Sequence, residues 1–154
     1  MAHYPLNHSL RQTYRFIAAL GGLYLVLTGA IGIAQTWGDA FFGDTSDWVL
    51  GVRVNPAGAW FFLIAGLVVL GAATVGGNML HQVNLILGWA LLAVSMIELA
   101  VMQTDANVLN VSMVNVFALI VVGLLTLTAG LYGRVDEVGP ERRTRTNRTS
   151  TPVN

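Results

Sequence analysis

The sequence predicts an all-α membrane protein with four transmembrane helices, arranged as two duplicated helical hairpins. The first observation behind this prediction is composition: the 154 residues are 55% hydrophobic and only 10% charged, with a mean hydropathy of +0.64. Soluble domains carry about 25% charged residues, so this chain lacks the polar surface to cover itself in water. The second observation is four long apolar runs, and the third is an internal repeat.

Four segments of about 20 mainly apolar residues satisfy the length needed to cross a bilayer core. They are residues 16–34, 57–74, 83–102 and 113–132. Lipid offers no partner for backbone amides, so each run is expected to be helical. Residues 16–133 therefore form the transmembrane domain, preceded by the N-terminal segment 1–15. Residues 134–154 form an Arg-rich tail without apolar periodicity, which we expect to be disordered.

The first span has an alternative interpretation as a cleaved signal peptide. Arg11 and Arg15 precede it, and Gly32-Ile33-Ala34 resembles a small-residue cleavage site. Its apolar run of about 19 residues is longer than the 7–15 of a typical signal peptide, which favours a membrane span.

The positions of the Arg residues predict the orientation. Arg11 and Arg15 precede the first span, and Arg53 lies in the connection between the first and second spans. The other five follow the fourth span: Arg134, Arg142, Arg143, Arg145 and Arg148. Basic residues accumulate on the cytoplasmic side of membrane proteins. With four crossings, we expect both termini in the cytoplasm and a multi-pass location in the plasma membrane.

The internal repeat relates two pairs of segments in the chain, each pair without a gap. Residues 22–34 align with 88–100, and residues 59–73 align with 116–130. Each span also carries two small residues seven positions apart, which places both on one helix face. These candidate helix-packing residues are Gly22 and Gly29, Gly66 and Ala73, Gly88 and Ser95, and Gly123 and Gly130. Small residues let membrane helices approach closely, although Gly and Ala are also simply common in such helices.

Two segments carry a resemblance to a known family: VNPAGAWFFLIAG (54–66) and LNVSMVNVFALIVVG (109–123). They resemble an actinobacterial family of small four-helix membrane proteins, catalogued as a domain of unknown function. The resemblance implies a repeated helical hairpin and a Val-Asn-Pro start to the second helix, but no established activity. Relatives tend to have His in the second and fourth helices and Asp at the start of the fourth. The corresponding residues here are Gly58, Phe62, Leu119 and Asn115.

Glu98 is a carboxylate inside the third span, about five residues from its end. An ionised carboxylate is costly in mid-bilayer and much less so near an interface. Thr28 and Asn115 are polar residues expected at the same end of neighbouring helices. Three interpretations remain open: an interfacial or hydrogen-bonded side chain, a contact to a partner chain, and a group that handles protons or ions.

The first connection interleaves aromatic and acidic residues in WGDAFFGDTSDW (37–48). Aromatic side chains at the edge of a span anchor it at headgroup level. The carboxylates of Asp39, Asp44 and Asp47 could instead form a docking surface for an exported protein. A divalent-cation site is the weakest alternative, because such sites need six or more oxygens in fixed geometry.

The residue inventory excludes several function classes. The chain has no Cys, so thiol catalysis and thiolate metal sites are ruled out. The spacing of His3, His8 and His81 matches no metal motif. No cofactor and no nucleic-acid partner are expected, and no catalytic constellation is visible.

The leading hypothesis is a non-catalytic accessory subunit that binds other membrane or exported proteins, or a second copy of itself. Anionic lipids at the Arg-rich tail are a further expected partner. The alternative is a small transporter or channel-like protein that uses Glu98. A haem- or quinone-linked enzyme is a third class, disfavoured because no His lies within a predicted span.

Overall fold

The computed structural model describes residues 8–44 and 47–135, and its framework is four long helices. These are α1 (Arg11–Gln35), α2 (Pro56–Val75), α3 (Gly77–Val101) and α4 (Met113–Tyr132). Each helix is long and apolar enough to cross a membrane. The prediction of four helical membrane-span candidates is therefore confirmed. The tail predicted to be disordered lies outside the described residues, except for Arg134 and Val135.

Two helices begin earlier than the apolar runs indicate. α1 begins at Arg11 rather than near residue 16, and α3 begins at Gly77 rather than near residue 83. Hydropathy detects only the apolar part of a helix, and polar residues continue the same helices beyond it. Gly76 is the one residue between α2 and α3, and its φ of 71° lies in the left-handed region that glycine adopts readily.

The helices pack most extensively as two neighbouring pairs, α1 with α2 and α3 with α4. A smaller contact joins α1 to α4, and the contact between α2 and α3 is smaller again. The central core brings together Leu25, Phe62, Leu91 and Leu119, one from each helix. Large apolar side chains elsewhere on the helices are exposed, among them Phe16, Ile64, Ile86, Ile97 and Phe117. A bilayer is the medium that suits such faces.

The two ends of the bundle differ in construction. One end, here named the loop end, holds the described residues of the connection 36–55 and the connection 102–112. The other, named the turn end, holds Gly76, the start of α1 and the end of α4. At the turn end, Arg15 donates from Nε to the carbonyl of Ala73 and from Nη2 to that of Thr74, at 2.7 Å for the second bond. These bonds satisfy carbonyls at the end of α2 that have no partner within the helix.

A small β-hairpin at the loop end is absent from the sequence prediction. Strands β1 (Trp48–Val49) and β2 (Val52–Arg53) pair antiparallel. Leu50 and Gly51 form the turn with φ values of 48° and 90°. Val49 and Val52 are buried against the central core. Strands of two residues are too short to give a recognisable alternation, and Leu is not a typical residue for a left-handed turn position.

Asn55 caps the start of α2, which begins at Pro56. Its side-chain oxygen accepts a hydrogen bond from the backbone N–H of Gly58 at 2.8 Å, and Pro56 occupies the first turn. Proline loses nothing there, because its missing N–H would have no partner within the helix. Ser112 precedes α4, and both its backbone N–H and its hydroxyl donate to Asn115 Oδ1, at 3.3 and 2.8 Å.

Candidate functional site

The small residues Gly22 and Gly88 lie at close helix contacts within their own hairpins. A Cβ atom added to Gly22 would lie 3.1 Å from Leu70 Cγ, and one added to Gly88 would lie 2.6 Å from Leu127 Cα. Both gaps are shorter than an ordinary van der Waals contact. The sequence alignment matches Gly22 with Gly88 and Leu70 with Leu127, so equivalent residues make equivalent contacts.

Gly66 on α2 and Gly123 on α4 also make equivalent contacts, each with the partner helix of its own hairpin. A Cβ on Gly66 would lie 2.9 Å from Leu25 Cβ, and a Cβ on Gly123 would lie 3.3 Å from Leu91 Cβ. Leu25 aligns with Leu91 in the sequence repeat. The first hairpin is the more tightly packed of the two at this level.

The other four predicted packing residues are also at helix contacts or in the interior. Gly29 approaches the backbone of α2, where an added Cβ would lie 2.7 Å from the carbonyl oxygen of Ala59. Gly130 approaches the backbone of α3, where an added Cβ would lie 2.5 Å from the backbone nitrogen of Leu85. Ala73 is buried in a cluster at the turn end. Ser95 is fully buried.

A polar network at the loop end ties the two connections together. Arg53 donates from Nε to the carbonyl of Asn110 at 2.8 Å and from Nη2 to that of Val111 at 3.2 Å. Asn55 Nδ2 donates to the carbonyls of Gly43 and Val108, at 3.2 and 2.9 Å. The lone basic residue of the first connection is therefore a structural clamp. The side chain of Asn107 bonds to the backbone of Val111, and that of Asn115 bonds to the backbone of Arg53. We name Arg53, Asn55, Asn107 and Asn115 the clamp residues.

The predicted acidic residues surround this clamp at its surface. Asp39 and Asp44 are exposed and Asp47 is half-buried. Their carboxylates have no hydrogen-bond partner among residues 8–44 and 47–135. The neighbouring aromatic side chains are also exposed: Trp37 by 82%, Phe42 by 63%, and Phe41 and Trp48 by about half. The loop end thus presents apolar rings, and carboxylates without a partner among the described residues, on a backbone that the clamp holds in place.

Glu98 is buried, with 4% of its surface exposed, and both of its carboxyl oxygens lack a hydrogen-bond partner in the described chain. It lines a cavity of about 170 Å³ between the end of α3 and the connection that follows. The predicted polar neighbours are not bonded to it. Asn115 is committed to Ser112 and Arg53, and Thr28 is buried on α1, which packs mainly on α2.

His81 is the residue whose environment sequence reasoning missed. It was expected in a connection, but it lies in α3, is largely buried, and its Nδ1 lies 2.6 Å from the carbonyl oxygen of Gly130. At that distance the ring donates a hydrogen bond to the carbonyl. Because Gly130 has no side chain, the ring reaches the α4 backbone.

Metal-ligating chemistry has no support within the described chain, where no group of three His, Cys, Asp or Glu side chains could hold an ion. His3 and most of the Arg-rich tail lie outside that part of the chain. No protein-family model, curated protein or solved structure matches this sequence. The resemblance to the actinobacterial family therefore stays a prediction, carried by Val54-Asn55-Pro56 and Gly66.

Proposed function

We propose that the four helices cross the plasma membrane with the loop end outside and the turn end in the cytoplasm. Arg11 and Arg15 at the start of α1 and Arg134 just beyond α4 support this orientation, because basic residues are retained on the cytoplasmic side. Arg53 is the exception, and its hydrogen bonds to two carbonyls give it a reason to lie outside. The tail Arg residues would extend the basic side and could hold anionic lipid headgroups.

We further propose that the two hairpins arose by duplication and are related by an axis along the membrane normal. The matched contacts support this proposal. The contact of Gly22 with Leu70 in the first hairpin corresponds to that of Gly88 with Leu127 in the second, and the contacts of Gly66 and Gly123 correspond in the same way. Parallel repeats of this kind are known among membrane proteins.

The function that the geometry supports best is that of a non-catalytic accessory subunit, which binds another membrane or exported protein at the loop end. One observation carries this proposal: exposed aromatic rings, and carboxylates without a partner in the described part of the chain, stand on a backbone fixed by the clamp residues. Interfaces are enriched in aromatic side chains, and a fixed surface loses little entropy on binding. Membrane anchoring uses the same rings, but it gives no role to the carboxylates of Asp39, Asp44 and Asp47, which anionic headgroups would repel.

Photo-crosslinking from the loop end tests the accessory role. A benzophenone amino acid at Phe42 should give one recurring adduct with another membrane or exported polypeptide in the native membrane. The same group at Phe16, exposed near the turn end, is the matched control and should react with lipid. Replacing Asp39, Asp44 and Asp47 by Asn should reduce the Phe42 adduct at least threefold. Adducts with lipid alone would contradict the proposal. Adducts with a second copy of this chain would show that the loop end is a self-association surface instead.

A small transporter or channel-like protein is the second candidate, favoured by the buried carboxyl of Glu98 beside a cavity. Ionisable groups within membrane spans commonly mark transport pathways. Ion or proton flux into liposomes containing the protein should fall at least tenfold in Glu98→Gln. Flux equal to that of empty liposomes, or flux unchanged by this substitution, would remove transport from consideration.

A further inference from the structure

The cavity beside Glu98 has apolar walls and one ionisable side chain among its described lining residues. α3 contributes Val94 and Ile97, and the connection that follows contributes Val108 and Val111. Ile97 and Val108 are more than half exposed. They therefore form a rim that opens to the surroundings, while Glu98 lies behind it.

The polar groups closest in the chain are already committed to the backbone. Asn107 also lines the cavity, but its Nδ2 donates to the carbonyls of Met102 and Val111, at 3.1 and 3.0 Å. Its Oδ1 accepts from the backbone N–H of Val111 at 2.8 Å. The guanidinium of Arg53 is likewise held by carbonyls. Glu98 is left with two acceptor oxygens and no donor, which is a costly arrangement for a buried group.

The first hairpin has no such chamber at the position that the repeat aligns with Glu98. The repeat aligns Glu98 with Gly32, where an added Cβ would lie 2.8 Å from Ala59 Cβ and 3.3 Å from a methyl carbon of Val54. That position cannot hold even an alanine without movement. The aligned place in the second hairpin holds a glutamate and about 170 Å³ of empty space. At this aligned position, room for a ligand therefore exists only in the second hairpin, together with the carboxyl group.

The end of α3 adds a second reason for the ligand to be positively charged. Glu98 lies in the last turn of α3, which ends at Val101. Carbonyl groups at a helix C-terminus carry partial negative charge and favour a cation nearby. An ammonium group would give both carboxyl oxygens a donor and would compensate this end of the helix.

The size of the chamber limits the rest of the ligand. A dry cavity of about 150 Å³ is known to hold benzene, so about 170 Å³ admits roughly six to eight non-hydrogen atoms. We propose that this cavity binds a small organic cation, with one amine paired to Glu98 and a compact apolar body against Val94, Val108 and Val111. Binding of this kind goes beyond the accessory role and does not require transport.

Fluorine NMR on the full chain in lipid nanodiscs tests the proposal with two isosteric probes. 3-Fluorocyclopentylamine should give a saturable bound signal, and 3-fluorocyclopentanol should bind at least tenfold more weakly. Glu98→Gln removes the charge, and Val94→Phe fills the chamber while keeping the carboxyl. Each should weaken the amine at least tenfold. Asp105→Asn, an exposed carboxylate at the same end, should leave binding unchanged.

Equal binding of amine and alcohol, or saturable amine binding that survives Glu98→Gln in a folded protein, overturns the proposal. Folding of each variant is checked by its helical circular dichroism and its elution in size exclusion. Crosslinking from Phe42 is measured on the same Glu98→Gln protein. An unchanged adduct alongside lost amine binding separates this site from the accessory role.

Discussion

Arg53 and Asn115 exchange two hydrogen bonds of opposite direction across the loop end. The backbone N–H of Arg53 donates to Asn115 Oδ1 at 3.0 Å, and Asn115 Nδ2 donates to the carbonyl of Arg53 at 2.6 Å. The amide side chain thus pairs with β2 as a neighbouring strand would. This pairing connects the start of α4 in the second hairpin to the connection of the first.

Removal of this side chain should destabilise the loop end. Asn115→Ala loses both bonds to Arg53 and the acceptor for Ser112, and it leaves buried polar groups without partners. We expect a loss of about 2–4 kcal/mol in the free energy of unfolding. Thermal unfolding in detergent, followed by circular dichroism, measures it. Gln103→Ala, an exposed residue at the same end, is the control, and equal melting temperatures for the two variants would contradict the prediction.

Close packing in the second hairpin should make Gly88 intolerant of a methyl group. The added Cβ of Gly88→Ala would lie 2.6 Å from backbone atoms of Leu127, so the helices must separate. The expected loss is about 1–3 kcal/mol. Gly71→Ala is the matched control, since nothing lies within 4 Å of its Cβ position. It should be neutral or stabilising by about 0.5–1 kcal/mol. Unfolding in detergent compares them, and a harmless Gly88→Ala would refute the close contact.

At the turn end, Arg15 should stabilise the bundle whereas Arg11 should not. Arg15→Gln removes the charged donor from the carbonyls of Ala73 and Thr74. Hydrogen bonds from charged groups contribute about 1.5–3 kcal/mol, and a loss of this order is expected in the free energy of unfolding. Arg11→Gln removes the same charge from the same helix start, so it controls for topology and solubility. Equal losses in both variants would point to charge alone.

Replacing the carboxyl of Glu98 by an apolar side chain should stabilise the protein in the absence of ligand. Glu98 is buried without a partner, so Glu98→Leu removes an unsatisfied group and fills part of the cavity. The expected gain is about 1–3 kcal/mol. Thermal unfolding measures it, with Asp105→Asn as the control for lost charge. A strongly destabilised Glu98→Leu would mean that the carboxyl has a structural partner.

Orientation in the membrane can be measured with single introduced Cys residues, because the chain has no native Cys that must first be replaced. Single Cys residues at Asp44 and Asp105 should react with a membrane-impermeant maleimide added to intact cells. A Cys at Thr13, exposed near the start of α1, should react only after the cells are opened. The reverse pattern would invert the proposed topology.

The helices were predictable because their signal is local. Length and hydropathy predict the four helices, and the Asn55-Pro56 pair predicts where α2 begins. The β-hairpin and the clamp were not predictable, since Arg53 meets partners 57 to 62 positions away in sequence. Single-sequence patterns do not encode such pairings.

The environment of Glu98 also depends on contacts between residues that are distant in sequence. Its sequence position correctly identified a carboxylate in an apolar span. The cavity, however, depends on how the connection 102–112 returns over α3, and on the clamp that holds this connection. His81 was misplaced because hydropathy began the predicted third helix too late, at residue 83 rather than at Gly77, and its bond to Gly130 spans 49 positions.

The single-residue joint at Gly76 has a consequence for biosynthesis. α2 ends at Val75 and α3 begins at Gly77, so a single residue separates the two helices and there is no longer loop between them. On the proposed topology, we expect both helices to enter the membrane together, already turned back at the glycine. Lengthening this joint would allow them to leave the translocation channel one after the other.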